Sequence, residues 1–284
     1  MHRLGQKIFR TFLETIPASW ALRIIFYRAH ATWPDLQHPK TFNEKVQWRK
    51  LHQHDDRFPM LADKAAVKQY VVDRLGEDWV IPTIWSAPKL PPRHERTWPI
   101  PYALKATHGS STNLFVRSIE EQNWDTIEAK TNEWLAETYG QWAREWLYTE
   151  ITPAIVVEPF IGQGHDLPVD YKFFVFDGAV RYIQVDTARE HHHRRALYTP
   201  DWKKLSVRFG VDREPADIPR PVFLDRMLRA AATLGTDFDF VRVDFYEVAG
   251  RPWFGEMTFY PDSGLGTFTP KSFDVELGQC WHLR

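Results

Sequence analysis

Leu4, Ile8, Phe9, Phe12, Leu13 and Ile16 recur three or four residues apart, with His2, Arg3, Lys7 and Arg10 on the other side. That spacing predicts a basic amphipathic helix over residues 1–16. Such a stripe either packs on its own domain, the commoner fate, or lies along an anionic membrane surface. Pro34 and Pro39 then interrupt the chain. Residues 43–51 predict a short helix carrying Trp48, and a longer helix over 59–75 carries Asp63 and Lys64 and stops at Gly76. Val80, Ile81, Pro82, Thr83 and Ile84 read as a strand end, and Pro88, Pro91, Pro92, Pro99 and Pro101 mark a linker.

Strands dominate from there on. Residues 102–107 and 113–116 read as two strands around a turn at 108–112, and a helix follows over 124–139. Further strands are expected at 154–157, 171–176, 180–185, 240–248 and 252–259, with a helix at 221–234. Hairpins interleaved with a few helices predict an α+β chain with mostly antiparallel sheets rather than a doubly wound fold. No internal repeat is visible.

Composition narrows the classes. The 284 residues suit one large domain or two modest ones, and 43% hydrophobic with 26% charged residues indicates a globular chain. No apolar run approaches the ~18 residues of a membrane span. Lys and Arg number 36 against 37 Asp and Glu, so the net charge of -1 removes the usual electrostatic ground for a nucleic-acid partner. The single cysteine, Cys280, forms no intramolecular disulfide and reads as a small packed hydrophobe. With no leader pattern at the N-terminus, the expected compartment is the cytoplasm. The 13 Trp, 10 Tyr and 19 Phe read mainly as packing, because rings such as Phe173, Phe174 and Phe176 sit in apolar runs.

The candidate chemistry begins with Val241-Arg242-Val243-Asp244-Phe245 and Phe254-Gly255-Glu256-Met257-Thr258. Alternation puts Arg242 and Asp244 on one face of the first strand, and Glu256 on one face of the second with Phe254 and Thr258. A three-residue loop at 249–251 sets Asp244 opposite Glu256, whereas a two-residue turn sends them to opposite faces. Opposed carboxylates about 5 Å apart repel by about 3 kcal/mol at an effective dielectric near 20. A shared divalent cation answers that repulsion, and solvation of an exposed strand face answers it too. Lys105 stands in an apolar strand, where a buried ammonium needs an anionic partner. The turn His108-Gly109-Ser110-Ser111 offers N–H groups and hydroxyls to phosphate, or is simply a hairpin turn. Arg189, Arg194 and Arg195 surround His191, His192 and His193; three adjacent histidines do not face one metal, which leaves a solvated loop or an arginine clamp on a phosphoryl group.

Taken in order, these segments resemble the TupA-like branch of the ATP-grasp superfamily. The matching stretches are Lys40 through Lys45 with Trp48, Asp63-Lys64, Leu104-Lys105 through Ser110, Asp170 through Phe174, Phe240 through Tyr246, and Gly255 through Pro261. The likeness runs from about residue 38 onward. It implies an ATP-grasp fold with a helical segment over 1–78, a small lobe over 79–153 and a large lobe over 154–284.

The resemblance also implies a nucleotide site. Lys64 and Lys105 would face the α-phosphate and adenine side, and the turn with His108, Gly109, Ser110 and Ser111 would close over the phosphates. Glu158, Pro159, Phe160 and Ile161 look like the adenine hinge, where Pro159 keeps its carbonyl and Ile161 supplies an N–H. Asp170 is similar to the ribose-binding acid. Arg195, Lys172 and Arg242 would neutralise the transferred phosphate, and Asp244 and Glu256 would hold Mg2+ with Thr258 beside them. Thr258 stands where many relatives carry Asn. A second departure is the helical segment before Lys64, which lacks the βαβ lobe that often supplies part of the substrate site.

The implied function is an ATP- and Mg2+-dependent carboxylate–amine ligase working through an acyl phosphate. Its partners would be a small-molecule acid and an amine, an amino acid or a saccharide among them, in the making of a cell-surface polymer. A place at the inner face of the membrane through the first helix fits the same picture. Two alternatives remain open: an ATP-grasp kinase acting on a sugar hydroxyl, and a non-catalytic sugar-binding module.

Overall fold

Helix α1 (His2–Thr15) runs where the apolar stripe predicts it, with Leu13 fully buried on its inner side. The computed structural model describes residues 2–162, 164 and 166–284, without the side chains of residues 2–4 and 7. Leu4 and the polar positions His2, Arg3 and Lys7 of that stripe therefore lie outside the described side chains. Helix α2 (Ala18–His30) is missed by the sequence reading; it starts after Pro17 and buries Ala21, Leu22, Ile25 and Phe26 at helical spacing. Leu13, Ala21, Leu22, Ile25 and Leu36 pack as one small cluster. Arg144 holds α1 from outside, its Nη2 donating to the carbonyls of Leu13 at 2.7 Å and Ile16 at 2.8 Å, groups that a helix end leaves open.

Helix α3 (Phe42–His52) opens on a capping box, in which the Glu44 N–H donates to Thr41 Oγ1 at 3.1 Å and the Thr41 N–H donates to Glu44 Oε2 at 3.0 Å. Its buried Arg49 donates to the Phe240 carbonyl at 2.9 Å and pairs with Asp239, which also accepts from Trp281 Nε1 at 2.8 Å. Phe42 and Val46 join the same core, so α3 is built into the C-terminal half of the chain.

The continuous helix expected over 59–75 is two helices, α4 (Arg57–Ala62) and α5 (Val67–Leu75). Asp63 breaks it: its ψ is 121°, and its Oδ1 accepts from the N–H groups of Ala65 and Ala66 at 2.7 and 2.8 Å. A short side chain that serves the backbone better than the helix ladder does ends the helix there. Residues 80–83 are not a strand, because Pro82 has no N–H to pair; β1 (Trp85–Ala87) begins later.

Strands β2 (Tyr102–Ala106) and β3 (Asn113–Val116) form the expected hairpin, and α6 (Trp124–Ala136) ends three residues short of its expected limit. After the short α7 (Trp146–Thr149), β4 (Ile155–Pro159) completes a sheet of order β1-β4-β2-β3, antiparallel throughout. Residues 155–159 thus pair with the strands before them, across the 153/154 boundary. Tyr102, Leu104, Val116, Ile155 and Val157 pack there against Ile127 of α6.

The remaining elements build a second sheet. Strands β5 (Asp170–Phe176), β6 (Ala179–Thr187) and β7 (Arg194–Tyr198) are followed by the short β8 (Arg208–Phe209) and β9 (Asp212–Arg213). Helix α8 (Leu224–Gly235) precedes β10 (Phe240–Val248) and β11 (Arg251–Thr258), and β12 (Phe268–Thr269) and α9 (Ser272–Gln279) close the chain. The order is β11-β10-β5-β6-β7-β9, antiparallel except for β7 with β9, while β8 pairs with β12. Alternation divides this sheet. Phe173, Val175, Ile183, Val185, Val243 and Phe245 form one face with Leu224, Met227, Ala231 and Leu234 of α8 in the same apolar core. Burying each such side chain contributes roughly 2 kcal/mol. A Cβ on Gly235 would stand 2.5 Å from Val175 Cγ1, so only glycine lets the helix lie this close.

Candidate active site

The other face of the large sheet carries charge in two rows. Cross-strand pairing sets Glu256 against Asp244, Asp244 against Lys172 and Lys172 against Gln184. Two residues along each strand, Tyr246 pairs with Asp170, Asp170 with Asp186, and Asp186 with Arg195.

The turn that joins β10 to β11 is the two-residue one, Ala249-Gly250 at φ of 53° and 74°, with Val248 paired to Arg251. Its register alone would put Asp244 and Glu256 on opposite faces. A β-bulge restores them: Phe245 pairs with Phe254 and Asp244 with Glu256, so Gly255 is passed over. Glu256 and Thr258 therefore share the charged face, and Phe254 turns to the apolar face beside Phe245, not to the side of Glu256 as expected. A Cβ at Gly255 would lie 3.1 Å from the Asp244 carbonyl and 3.1 Å from the Tyr246 ring.

Ion pairs lock the rows together. Lys172 Nζ donates to Asp170 Oδ2 and Asp244 Oδ2, each at 2.6 Å. Arg242 grips Asp244 with two bonds of 2.8 Å and reaches Glu256 Oε1 and Thr258 Oγ1, both at 3.0 Å. Arg189 Nη1 donates to Asp170 Oδ2 at 3.0 Å. Arg195 bridges Asp186 at 2.7 Å and Asp262 at 2.9 Å, and His193 Nε2 stands 3.4 Å from Asp186. Burial pushes the Asp244 carboxyl up to about 6 against the pull of Arg242 and Lys172. Burial works on Glu256 as well, but Lys172, Lys64 and Arg242 hold it at about 2.

Above this face lies a cavity of about 550 Å³. Lys64, Lys68, Lys105, Gly109, Ser110 and Ser111 line the side toward the small sheet, and Glu158 through Ile161 line it as well. Glu158 collects Lys105 at 2.6 Å and Lys68 at 2.5 Å, so the ammonium expected to need an anion has one. Lys64 is placed by the break after α4: its N–H donates to the Thr107 carbonyl at 3.2 Å and its ammonium to the Gly109 carbonyl. The third side combines Arg10 of α1 with Trp142, Glu145, Tyr148 and Ser263. There Glu145 faces the buried Lys50 at 3.8 Å; burial lowers that lysine to about 8 and raises the carboxyl.

Most of the residues singled out from the sequence therefore meet at one cavity. His108 does not: its Nε2 bonds the Trp134 carbonyl at 3.0 Å, burial lowers its pKa, and it stays off the cavity wall, because the turn ties it to the end of α6. Asp244, only 1% exposed, lies behind Arg242 and Lys172 rather than on the wall. Sequence reasoning missed Lys68, Asp186 and Asp262. Lys68 stands one turn after Lys64, and Asp186 follows from pairing β6 with Asp170, signals that become readable only with the register.

The donor set suits a small hard cation. Asp244, Glu256 and Thr258 offer oxygens only, from adjacent strands, and Asp170 keeps a buried Oδ1 with no partner. Among the described residues no group of three or more His, Cys, Asp or Glu gathers at a metal-binding distance. Two carboxylates with phosphate oxygens completing the shell is the arrangement that Mg2+ takes beside nucleotides. Both Asp244 oxygens are held by Arg242 and Lys172, so a cation there would replace those contacts.

Comparison with known proteins identifies the family. A family described as "TupA-like ATPgrasp" matches residues 44–282. No curated protein matches the chain. Solved structures similar to it include the L-amino acid ligase from Bacillus licheniformis, at 13% identity and a TM-score of 0.45 over 78% of this chain and 50% of that one. The D-alanine-D-alanine ligase from Helicobacter pylori is 15% identical with a TM-score of 0.43, over 78% and 62%. The D-alanine–D-alanine ligase from Bacillus anthracis is 15% identical with a TM-score of 0.42, over 70% and 57%. The chain thus spans between half and 62% of the length of these proteins.

Proposed function

Because the chain belongs to the TupA-like ATP-grasp family, we propose that it is an ATP- and Mg2+-dependent ligase that joins a carboxylate to an amine through an acyl phosphate. One observation carries this reading. Asp244, Glu256, Lys172 and Arg242 interlock on one sheet face beneath a cavity whose facing wall presents Lys64, Lys68 and Lys105. Such a cleft has cations for a polyphosphate and carboxylates for its counter-ion, and the reaction asks for no protein nucleophile.

In the first step a carboxylate oxygen of the acid substrate attacks the γ-phosphorus. The new O–P bond forms as the bond to the bridging oxygen breaks, and ADP leaves with that electron pair. In the second step the amine attacks the acyl carbon, the C–N bond forms, inorganic phosphate departs, and the surplus proton of the amine passes to solvent. Positioning and charge neutralisation supply most of the rate in such a sequence.

The chain's own residues divide the work. Lys64 and Lys105 hold the α-phosphate side, and Gly109, Ser110 and Ser111 cover the phosphates. Pro159 and Ile161 meet the adenine edge beside Glu158 and Phe160, and Asp170 takes the ribose. Lys172, Arg242 and Arg195 receive the charge of the phosphoryl group in transit. Asp244 and Glu256, with Thr258 beside them, would hold Mg2+, which when bound neutralises and orients the phosphates. The resemblance extends the proposal to a precursor of a cell-surface polysaccharide or related polymer as acceptor.

Coupled detection of ADP over a panel of amino acids and uronic-acid-bearing saccharides tests this reading. ADP release that requires both an acid and an amine is expected. ADP formed without any amine, with phosphate retained on the product, would replace the ligase by a kinase. Absence of any ATP-dependent rise in melting temperature with Mg2+ present would remove both.

A further inference from the structure

Apolar side chains open to solvent gather at the N-terminal end of the chain. Ile8 and Phe12, 62% and 49% exposed, lie one turn apart on α1. Trp20 and Tyr27, 57% and 44% exposed, lie two turns apart on α2, and Trp33, 58% exposed, stacks on Tyr27 with ring centroids 4.6 Å apart. The inner faces of both helices are already filled by Leu13, Ala21, Leu22 and Ile25, so these five side chains are surplus to the core. Elsewhere among the described residues the exposed large hydrophobics, such as Ile119 and Val222, are far apart in sequence.

Charge follows the same end. Residues 1–33 hold five Lys or Arg, namely Arg3, Lys7, Arg10, Arg23 and Arg28, against Glu14 alone, while the whole chain is balanced at 36 to 37. Arg10 turns to the cavity and Arg23 donates to the Pro34 carbonyl at 3.1 Å, whereas Arg28 lies exposed over the Phe9 ring. This stretch also lies before the matched family segment, which begins at residue 44. A partner protein accounts for exposed apolar surface but gives no reason for the excess of positive charge. A bilayer with anionic headgroups takes both: Trp and Tyr settle at headgroup depth, Ile and Phe just beneath, and Arg and Lys pair with lipid phosphates.

We propose that α1, α2 and the segment through Trp33 form a peripheral docking surface for an anionic phospholipid membrane. Among the described residues no helix is long and apolar enough to cross one. The surface is joined to the cleft, since Arg10 lies on the cavity wall with its guanidinium 4.9 Å from the centre of the Trp142 ring. Docking would thus hold the cavity beside the bilayer. The proposal does not rest on the amide-forming reading, because lipid binding is measured without nucleotide or substrate.

Co-sedimentation of the full chain with vesicles is the test, using phosphatidylcholine alone and phosphatidylcholine with about one quarter phosphatidylglycerol. Binding to the anionic vesicles only, reversed by high salt, is expected. The Trp20→Ser/Trp33→Ser double variant replaces solvent-exposed rings; it should keep the parent melting temperature and bind the same vesicles about tenfold more weakly. Equal binding to both vesicle types, no binding to either, or undiminished binding by the variant would overturn the proposal. So would light scattering that finds a dimer which the double variant turns into a monomer, because the surface would then belong to a second copy.

Discussion

Asp244 faces Glu256 across two neighbouring strands because Gly255 between Phe254 and Glu256 has no partner. The hairpin turn sets one register, the bulge shifts it by a residue, and the two carboxylates arrive on the same side. A side chain at Gly255 must be accommodated against the Asp244 carbonyl and the Tyr246 ring. Gly255→Ala is therefore expected to lower ADP formation about tenfold or more while costing roughly 1 kcal/mol of stability. Steady-state kinetics beside a urea titration separates the two effects, and unchanged turnover would show that the bulge does not set the geometry of catalysis.

Asp244→Asn and Glu256→Gln each remove a charge assigned to Mg2+. Both variants should lose about 100-fold or more of ATP turnover with their circular dichroism unchanged. Activity preserved in both would cancel the metal assignment.

Much of this arrangement could be read from the chain. The strand pair at 240–258, the hairpin at 102–116 and the strand from residue 170 all carry their own alternation, and local pattern is what sequence exposes. The bulge was not legible in the same way. A glycine inside a strand is the one sign of it, and the residues of the turn themselves do not say whether it takes two residues or three. The break at Asp63 was hidden for a related reason, since the apolar pattern runs on through α4 and α5 while a single side chain diverts the backbone. His108 groups with the residues of the turn because it opens that turn, and only the carbonyl of Trp134, distant in sequence, takes it off the cavity wall that Gly109, Ser110 and Ser111 line.

Glu256 links the site to acid stability. Burial opposes its charge, but Lys172, Lys64 and Arg242 bring it to about 2, below the ordinary 4.5. A carboxyl lowered on folding contributes stability above its unfolded value and loses that contribution as pH falls through the window toward the folded value. Glu256→Gln should therefore be less stable than the parent at neutral pH, with the gap narrowing as pH drops from about 4.5 toward 2. Urea midpoints across that range check it, and a gap that holds constant with pH would contradict it.

Lys172 is the common partner of Asp170 and Asp244. Lys172→Met leaves both buried carboxylates short of a cation and should cost about 3 kcal/mol, measured by denaturant unfolding. Adding Asp244→Asn should recover part of that loss, and a strictly additive double variant would mean that the two residues do not interact.

Asp63 ends α4 and shapes the chain around Lys64. Asp63→Ala removes the acceptor for Ala65 and Ala66 and should cost about 1 kcal/mol while raising KM for ATP more than it lowers kcat. An unchanged KM would mean that Lys64 keeps its place without the break.

Lys64 joins the stretch between α4 and α5 to the 108–112 turn at two points, its N–H on Thr107 and its ammonium on Gly109. Under the proposed function, an anion reaching Lys64 would compete for the second contact and leave the first in place. Filling the cleft would then unlatch the tip of the loop while its root stays anchored, with the first difference at Gly109.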